Sequence, residues 1–191
     1  MSGLLNTKVG GPSVKPYQPD GVWEDLNAPK SHAEIYEQSK GEELYRKSLY
    51  TYWRRAVLHP AMAVFDAPSR DVCAVKREST NTPLQALAVL HGPIFIEAAR
   101  NLASDYYRHP KAIETVFQKV LTRPIEKKEL ELIGEYYARR KEHYVKHPEA
   151  VKKLLSVGES LLDPNLHSAE LAALTDCCHA ILNLNEALTR K

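Results

Sequence analysis

The chain has 191 residues, 43% hydrophobic and 26% charged, enough for one ordinary domain with a real core. A formal net charge of +2 gives no basic footprint for nucleic acid or an anionic membrane surface. No apolar run approaches the ~18 residues of a membrane span, and Met1 to Lys8 lacks the basic start and apolar core of a signal peptide.

Residues 1–33 are expected to form an extended arm. Gly10-Gly11-Pro12-Ser13 pairs a permissive stretch with a stiff one, suited to a sharp bend or a close backbone approach. Pro16-Tyr17-Gln18-Pro19-Asp20-Gly21 continues as polyproline-like chain into an Asp-Gly turn. Val22, Trp23 and Leu26 would pin the arm to the body.

Residues 34–55 are expected to be a small β-hairpin. Ile35-Tyr36-Glu37-Gln38 leads to a glycine turn at Lys40-Gly41-Glu42, and Leu44 to Arg54 is rich in aromatic and β-branched residues. Helix competes for the second half, because Leu44, Lys47-Ser48 and Thr51 also share a helix face. Tyr45, Tyr50, Tyr52 and Trp53 read as a core face before they read as a carbohydrate platform.

Pro60 opens a short helix that delivers the chain to a turn at Asp66-Ala67-Pro68-Ser69. A second break comes at Ser79-Thr80-Asn81-Thr82-Pro83. There Thr82 or Asn81 is an N-cap and Pro83 takes the first helical position. Gly92-Pro93 caps and restarts the chain for a stripe of Phe95, Ala98, Ala99, Leu102 and Tyr106. Ile113, Val116, Phe117, Val120 and Leu121 mark the next helix, and Thr122-Arg123-Pro124 ends it. Residues 126–145 form a long polar helix with Leu130, Ile133, Tyr137 and Tyr144 inward. Its run Arg139-Arg140-Lys141-Glu142 reads as a solvated face. Ala150 to Leu155 adds a short helix. The last helix is capped by Ser168 and buries Leu171, Leu174, Cys178, Ile181 and Leu182.

The fold class is therefore mainly α: a helical body of about five to seven helices, a small β-hairpin and an extended N-terminal arm. Residues 34–191 are read as a single mainly helical domain behind the 1–33 arm. Cys73, Cys177 and Cys178 give no disulfide framework, and Cys177-Cys178-His179 lacks the spacer of a C-x-x-C-H haem motif. H-E-x-x-H, G-x-S-x-G and G-x-G-x-x-G are missing, and no metal site is expected.

The polar stretch between the two proline breaks is the candidate binding site: Asp66, Arg70, Arg77, Thr80, Asn81 and Thr82. A helix start with free N–H groups, hydroxyls and two arginines suits an anion or a sugar hydroxyl array. The plainer reading has the same side chains fixing an irregular loop, which is their commoner use. For catalysis Asp66 would be acid or base, with Asp71 or Glu78 as the nearest second carboxylate. Tyr50, Tyr52 or Trp53 would then stack on a ring.

Gly10-Gly11-Pro12-Ser13, Tyr45 through Trp53, Phe65 through Arg70, Cys73, Arg77, Thr80 through Leu87 and Ala180 through Glu186 carry a resemblance. With these residues the chain is similar to the C-terminal portion of the planctomycete family known as domain of unknown function 1553. In that family the domain commonly follows a c-type cytochrome domain and another uncharacterised domain in a long exported protein. The resemblance implies a periplasmic or cell-envelope setting. It implies the preceding domains or a cytochrome c as partners, and haem c only on a separate domain or partner, with no cofactor in this chain. The helical N-terminal part of the family domain is missing, so the chain is expected to be an incomplete copy of a larger domain. The expected function is a packing and interaction module in a multidomain envelope protein. The alternative is a catalytic or glycan-binding part of a polysaccharide-processing or redox system, with its polar site at residues 66–82 and polysaccharide as partner.

Overall fold

The computed structural model describes residues 2–23, 36–54, 57–69, 73–163, 166 and 168–189. Among them are eight α-helices: α1 (Pro60–Val64), α2 (Pro83–His91), α3 (Pro93–Tyr106), α4 (Ala112–Leu121), α5 (Lys127–Lys146), α6 (Pro148–Leu155), α7 (Ala169–Leu182) and α8 (Asn185–Leu188). The chain divides into two compact units, Met1–Leu4 with Val89–Lys191, and Leu5–Ala88.

The larger unit is built on α7. Leu171, Ala172, Ala173, Leu174, Thr175, Cys177, Cys178 and Ile181 are all buried, so this helix is covered nearly all round. Its small residues let neighbours approach closely, and α3 and α5 are the main ones. Leu102, Phe117, Leu155, Leu171 and Ile181 are fully buried, each stabilising the unit by about 1.5–3 kcal/mol. The thiols of Cys177 and Cys178 are free and buried. Burial pushes the Cys177 thiol up to about 12 and raises that of Cys178 as well.

Side-chain bonds fix the ends of these helices. Ser168 caps α7 by accepting from Leu171 N at 3.1 Å. Glu126 and Glu129 form a reciprocal capping box at the start of α5. Thr122, at φ +59, ends α4 in the left-handed region. Arg123 then donates to Glu129 at 2.7 and 2.9 Å and to Glu186 at 2.9 Å through two nitrogens. These bonds hold the Glu129 carboxyl down at about 2. The charged run on α5 is less solvated than its sequence suggests. Arg140 donates to Asp176 of α7 at 2.5 Å, and Lys141 to Glu170 at 2.6 Å. Only Glu142–Lys146 behaves as the expected i,i+4 surface pair.

The mainly α class holds, but the expected hairpin over 34–55 does not form among the described residues. Gly41, at φ +59, opens a 3₁₀ stretch over Gly41–Tyr45, and a second covers Ser48–Tyr50. Two tight turns within ten residues leave no run long enough to pair as a strand. The aromatic segment pairs instead with the arm, through single parallel bridges of Asn6 with Arg46 and Val14 with Thr51. Val14 N donates to Tyr50 O at 2.8 Å and Tyr52 N to Val14 O at 2.7 Å. High β-propensity here reflects fit to a half-buried surface, and the arm supplies that surface without a ladder. Ile35, in the other half of the expected hairpin, lies outside the described residues, as does Leu26 of the arm.

Gly10 and Gly11 explain themselves in this smaller unit. Both have positive φ, +82 and +91, which turns the Lys8–Pro12 carbonyls toward one point. The Arg46 guanidinium sits there, accepted by Lys8 O and Pro12 O at 3.1 Å and by Gly10 O at 2.5 Å, and stacked 3.7 Å from the Tyr50 centroid. Tyr50 closes the loop by accepting from Gly10 N at 2.9 Å.

Candidate functional site

The polar stretch begins where α1 ends. Asp66 N donates to Ala63 O at 3.3 Å and Ala67 N to Met62 O at 2.9 Å, with Asp66 itself at φ +57. This is a Schellman ending with aspartate in the left-handed place usually held by glycine. Pro68, two residues further on, prevents the helix from resuming.

The strained position turns the Asp66 carboxylate toward Thr80. Thr80 N donates to Oδ2 at 2.8 Å, and the Thr80 hydroxyl lies 2.9 Å from both oxygens. Gln85 Nε2 reaches the same Oδ2 at 3.3 Å, Val64 O at 3.0 Å and Thr80 Oγ1 at 3.1 Å. The Thr80 N–H, then its hydroxyl, hold the Asp66 carboxyl below its ordinary value. Burial works against this, and Gln85 and the Arg77 charge add smaller contributions in the same direction as Thr80. Arg77 Nε donates to Asp66 O at 2.9 Å, and Arg77 Nη2 donates to Phe65 O. The arginine thus finishes carbonyls that the end of α1 leaves open.

Thr82 caps α2. Gln85 N donates to Thr82 Oγ1 at 3.4 Å, and Thr82 N to Gln85 Oε1 at 3.2 Å, a capping box of the form T-x-x-Q. Gln85, buried in the smaller unit, is the residue that sequence reasoning passed over. Its signal was present in Thr82-Pro83-Leu84-Gln85. Of the expected site residues, Asp66, Arg77 and Thr80 converge directly, and Thr82 joins them through Gln85. Asn81 is exposed beside Thr80. Arg70 lies outside the described residues, as does Asp71.

The polar groups of the knot bond to one another and to the main chain, although Arg77 and Thr80 are exposed. Asp66 is an ionised acceptor that already takes one N–H, one hydroxyl and one amide. Arg77 gives its bonds to two main-chain oxygens. A carboxylate held down in this way is a poor general acid at neutral pH. Among the described residues, no group of three or more His, Cys, Asp or Glu is placed to hold a metal ion.

The larger unit contains a buried polar cluster that the α3 stripe did not reveal. Glu97 and Arg100 are both buried and lie 3.6 Å apart. Arg100 donates to Leu155 O at 2.6 Å and Ser160 O at 2.7 Å, while Ser160 N donates to Glu97 at 2.5 Å. Gly158, at φ +87, passes so close that a Cβ would collide with the Glu97 carboxylate. The pair anchors the loop after α6. A separate cleft of about 320 Å³ is lined by Tyr107, His109, Lys111, Ile113, Tyr137 and Leu174 among others.

The fold and the knot define a mainly helical protein whose proline-bounded polar stretch is tied together by its own side chains. A family model described as PSD1, protein of unknown function (DUF1553), matches residues 1–137. The chain belongs to this family. No curated protein and no solved structure matches it.

Proposed function

We propose that this chain is a C-terminal packing and interaction module in a multidomain envelope protein of planctomycete type, seated against preceding domains that include a c-type cytochrome. The observation that carries this reading is the apolar surface of the smaller unit. Leu84 and Leu87 stand one turn apart on α2 and are 58% and 50% exposed, and Val9 and Leu49 are exposed still further. Among the described residues, the buried apolar side chains of the same unit are Val14, Trp23 and Leu44. A unit with a small core and outward leucines gains stability by covering them. The engagement of Asp66 and Arg77 by groups of their own loop favours this reading over the catalytic or glycan-binding one at residues 66–82.

The test is co-elution of the full chain with a c-type cytochrome domain of the family architecture, followed by haem absorbance. The wild-type chain is expected to shift the haem peak, and the double variant Leu84→Asp, Leu87→Asp to leave it unshifted with helical content intact. A shift that survives both substitutions, or no shift with the wild type, overturns the proposal.

A further inference from the structure

The cleft of about 320 Å³ in the larger unit lies at the low end of the roughly 300–1,000 Å³ range of small-molecule sites. Its apolar walls are Tyr107 just after α3, Ile113 at the start of α4, Leu130 and Tyr137 on α5, and Leu174 on α7. Leu174 is buried, and the other four are half-buried. One wall is held in place by a chain of bonds. The Ser168 hydroxyl donates to Tyr107 Oη at 3.1 Å, and Tyr107 donates to Glu170 Oε2 at 3.3 Å. Lys141 holds the other Glu170 oxygen at 2.6 Å. The Tyr107 ring is thus tied to the start of α7 and to α5, so the cleft is formed before anything enters it.

The polar groups around the cleft differ in what they still offer. Glu170 is committed to Tyr107 and Lys141, and Glu114 stands 3.9 Å from Lys111, at the edge of ion-pair distance. The Tyr137 hydroxyl has no hydrogen-bond partner among the described residues. Burial first, then the Glu170 charge, raises it, so it stays a donor at neutral pH. His109 Nδ1 accepts from Lys111 N at 3.2 Å, which puts the proton of the neutral ring on Nε2. That Nε2 has no partner among the described residues. The uncommitted groups are therefore donors: an imidazole N–H, a phenol and a loosely paired ammonium. We propose that the cleft binds a small aromatic monocarboxylate. Its ring packs against Tyr107, Ile113, Leu130, Tyr137 and Leu174, and its carboxylate takes the donors of His109 and Lys111 at the exposed rim. The Tyr137 hydroxyl serves a second acceptor on the ligand. A dianion fits less well, because the Glu114 carboxylate also lines the cleft. The cleft shares no residue with the α2 surface, so the two proposals fail separately.

The experiment titrates benzoate into the full chain, beside benzyl alcohol, which keeps the ring, and acetate, which keeps the charge. NMR shifts at Ile113, Leu130 and Leu174 report binding. Benzoate is expected to saturate, with its shifts confined to the cleft. Each control is expected to bind at least about tenfold more weakly, one lacking the charged hydrogen bonds and the other the apolar contact. His109→Ala, at the exposed rim, is expected to weaken benzoate about tenfold. Ala112 lines the cleft, and Ala112→Leu is expected to fill it and abolish saturation. Helical circular dichroism establishes that each variant is folded, and the wild-type comparison of the three probes needs no variant. The proposal is overturned by no saturable benzoate response in wild type, by shifts that lie away from the cleft, or by either control binding as tightly as benzoate. A folded His109→Ala or Ala112→Leu that binds benzoate as wild type does overturns it too.

Discussion

At Asp66 one side chain does three jobs: it occupies a left-handed helix end, orders Thr80 and receives Gln85. Its folded carboxyl titrates below its unfolded value. Its stabilisation is therefore complete above the ordinary aspartate range and is lost as pH falls through the lowered folded value. Asp66→Asn is expected to lower stability at neutral pH, and the gap from wild type to close as the pH falls below the ordinary aspartate range. Thermal melts across that range check this, and a gap independent of pH would show that the carboxylate charge is not what holds the knot. Much of this site was legible. Proline breaks, an Asp-x-Pro turn and a threonine cap lie in adjacent sequence and act locally. Gln85 was harder because its amide serves Thr82, Thr80, Val64 and Asp66 together, and only the folded turn brings those four together.

Among the elements, helices were readable wherever period and punctuation agreed. Pro60, Pro83 and Pro93 each open a helix, and Ser168 caps α7 as its sequence position suggests. Ser168→Ala is expected to lower the unfolding free energy by about 1 kcal/mol, and Ser168→Thr to keep most of it. Urea melts followed by helical circular dichroism measure the difference; equal melts for both would mean that Leu171 N finds another acceptor. The hairpin failed for a physical reason. Tyr45 to Trp53 has the composition of a strand but, among the described residues, pairs only through single bridges, and Gly41 tightens the backbone into a 3₁₀ turn. The buried Glu97–Arg100 pair was likewise invisible. Their positions look polar on a helical wheel, and what accepts them is the loop at Ser160, about sixty residues away.

At the scale of the molecule, several motifs that carry the family resemblance in the smaller unit prove to be one another's partners. The Gly10-Gly11 loop is clamped by Arg46 and Tyr50, and the Asp66 turn by Thr80 and Gln85. Such motifs specify how a small unit with little apolar core closes on itself. The vicinal thiols of α7 have a different consequence. Attack on a disulfide reagent needs an accessible thiolate. Cys73 is exposed, whereas Cys177 and Cys178 are shut away and disfavoured as anions. A chromogenic disulfide probe should therefore consume one of the three sulfhydryls at once. The other two should follow only at the pace at which the helical unit opens. Rapid release of all three equivalents from native protein would contradict this. Otherwise the slow phase gives the chain an intrinsic chronometer of its own unfolding, with no label added.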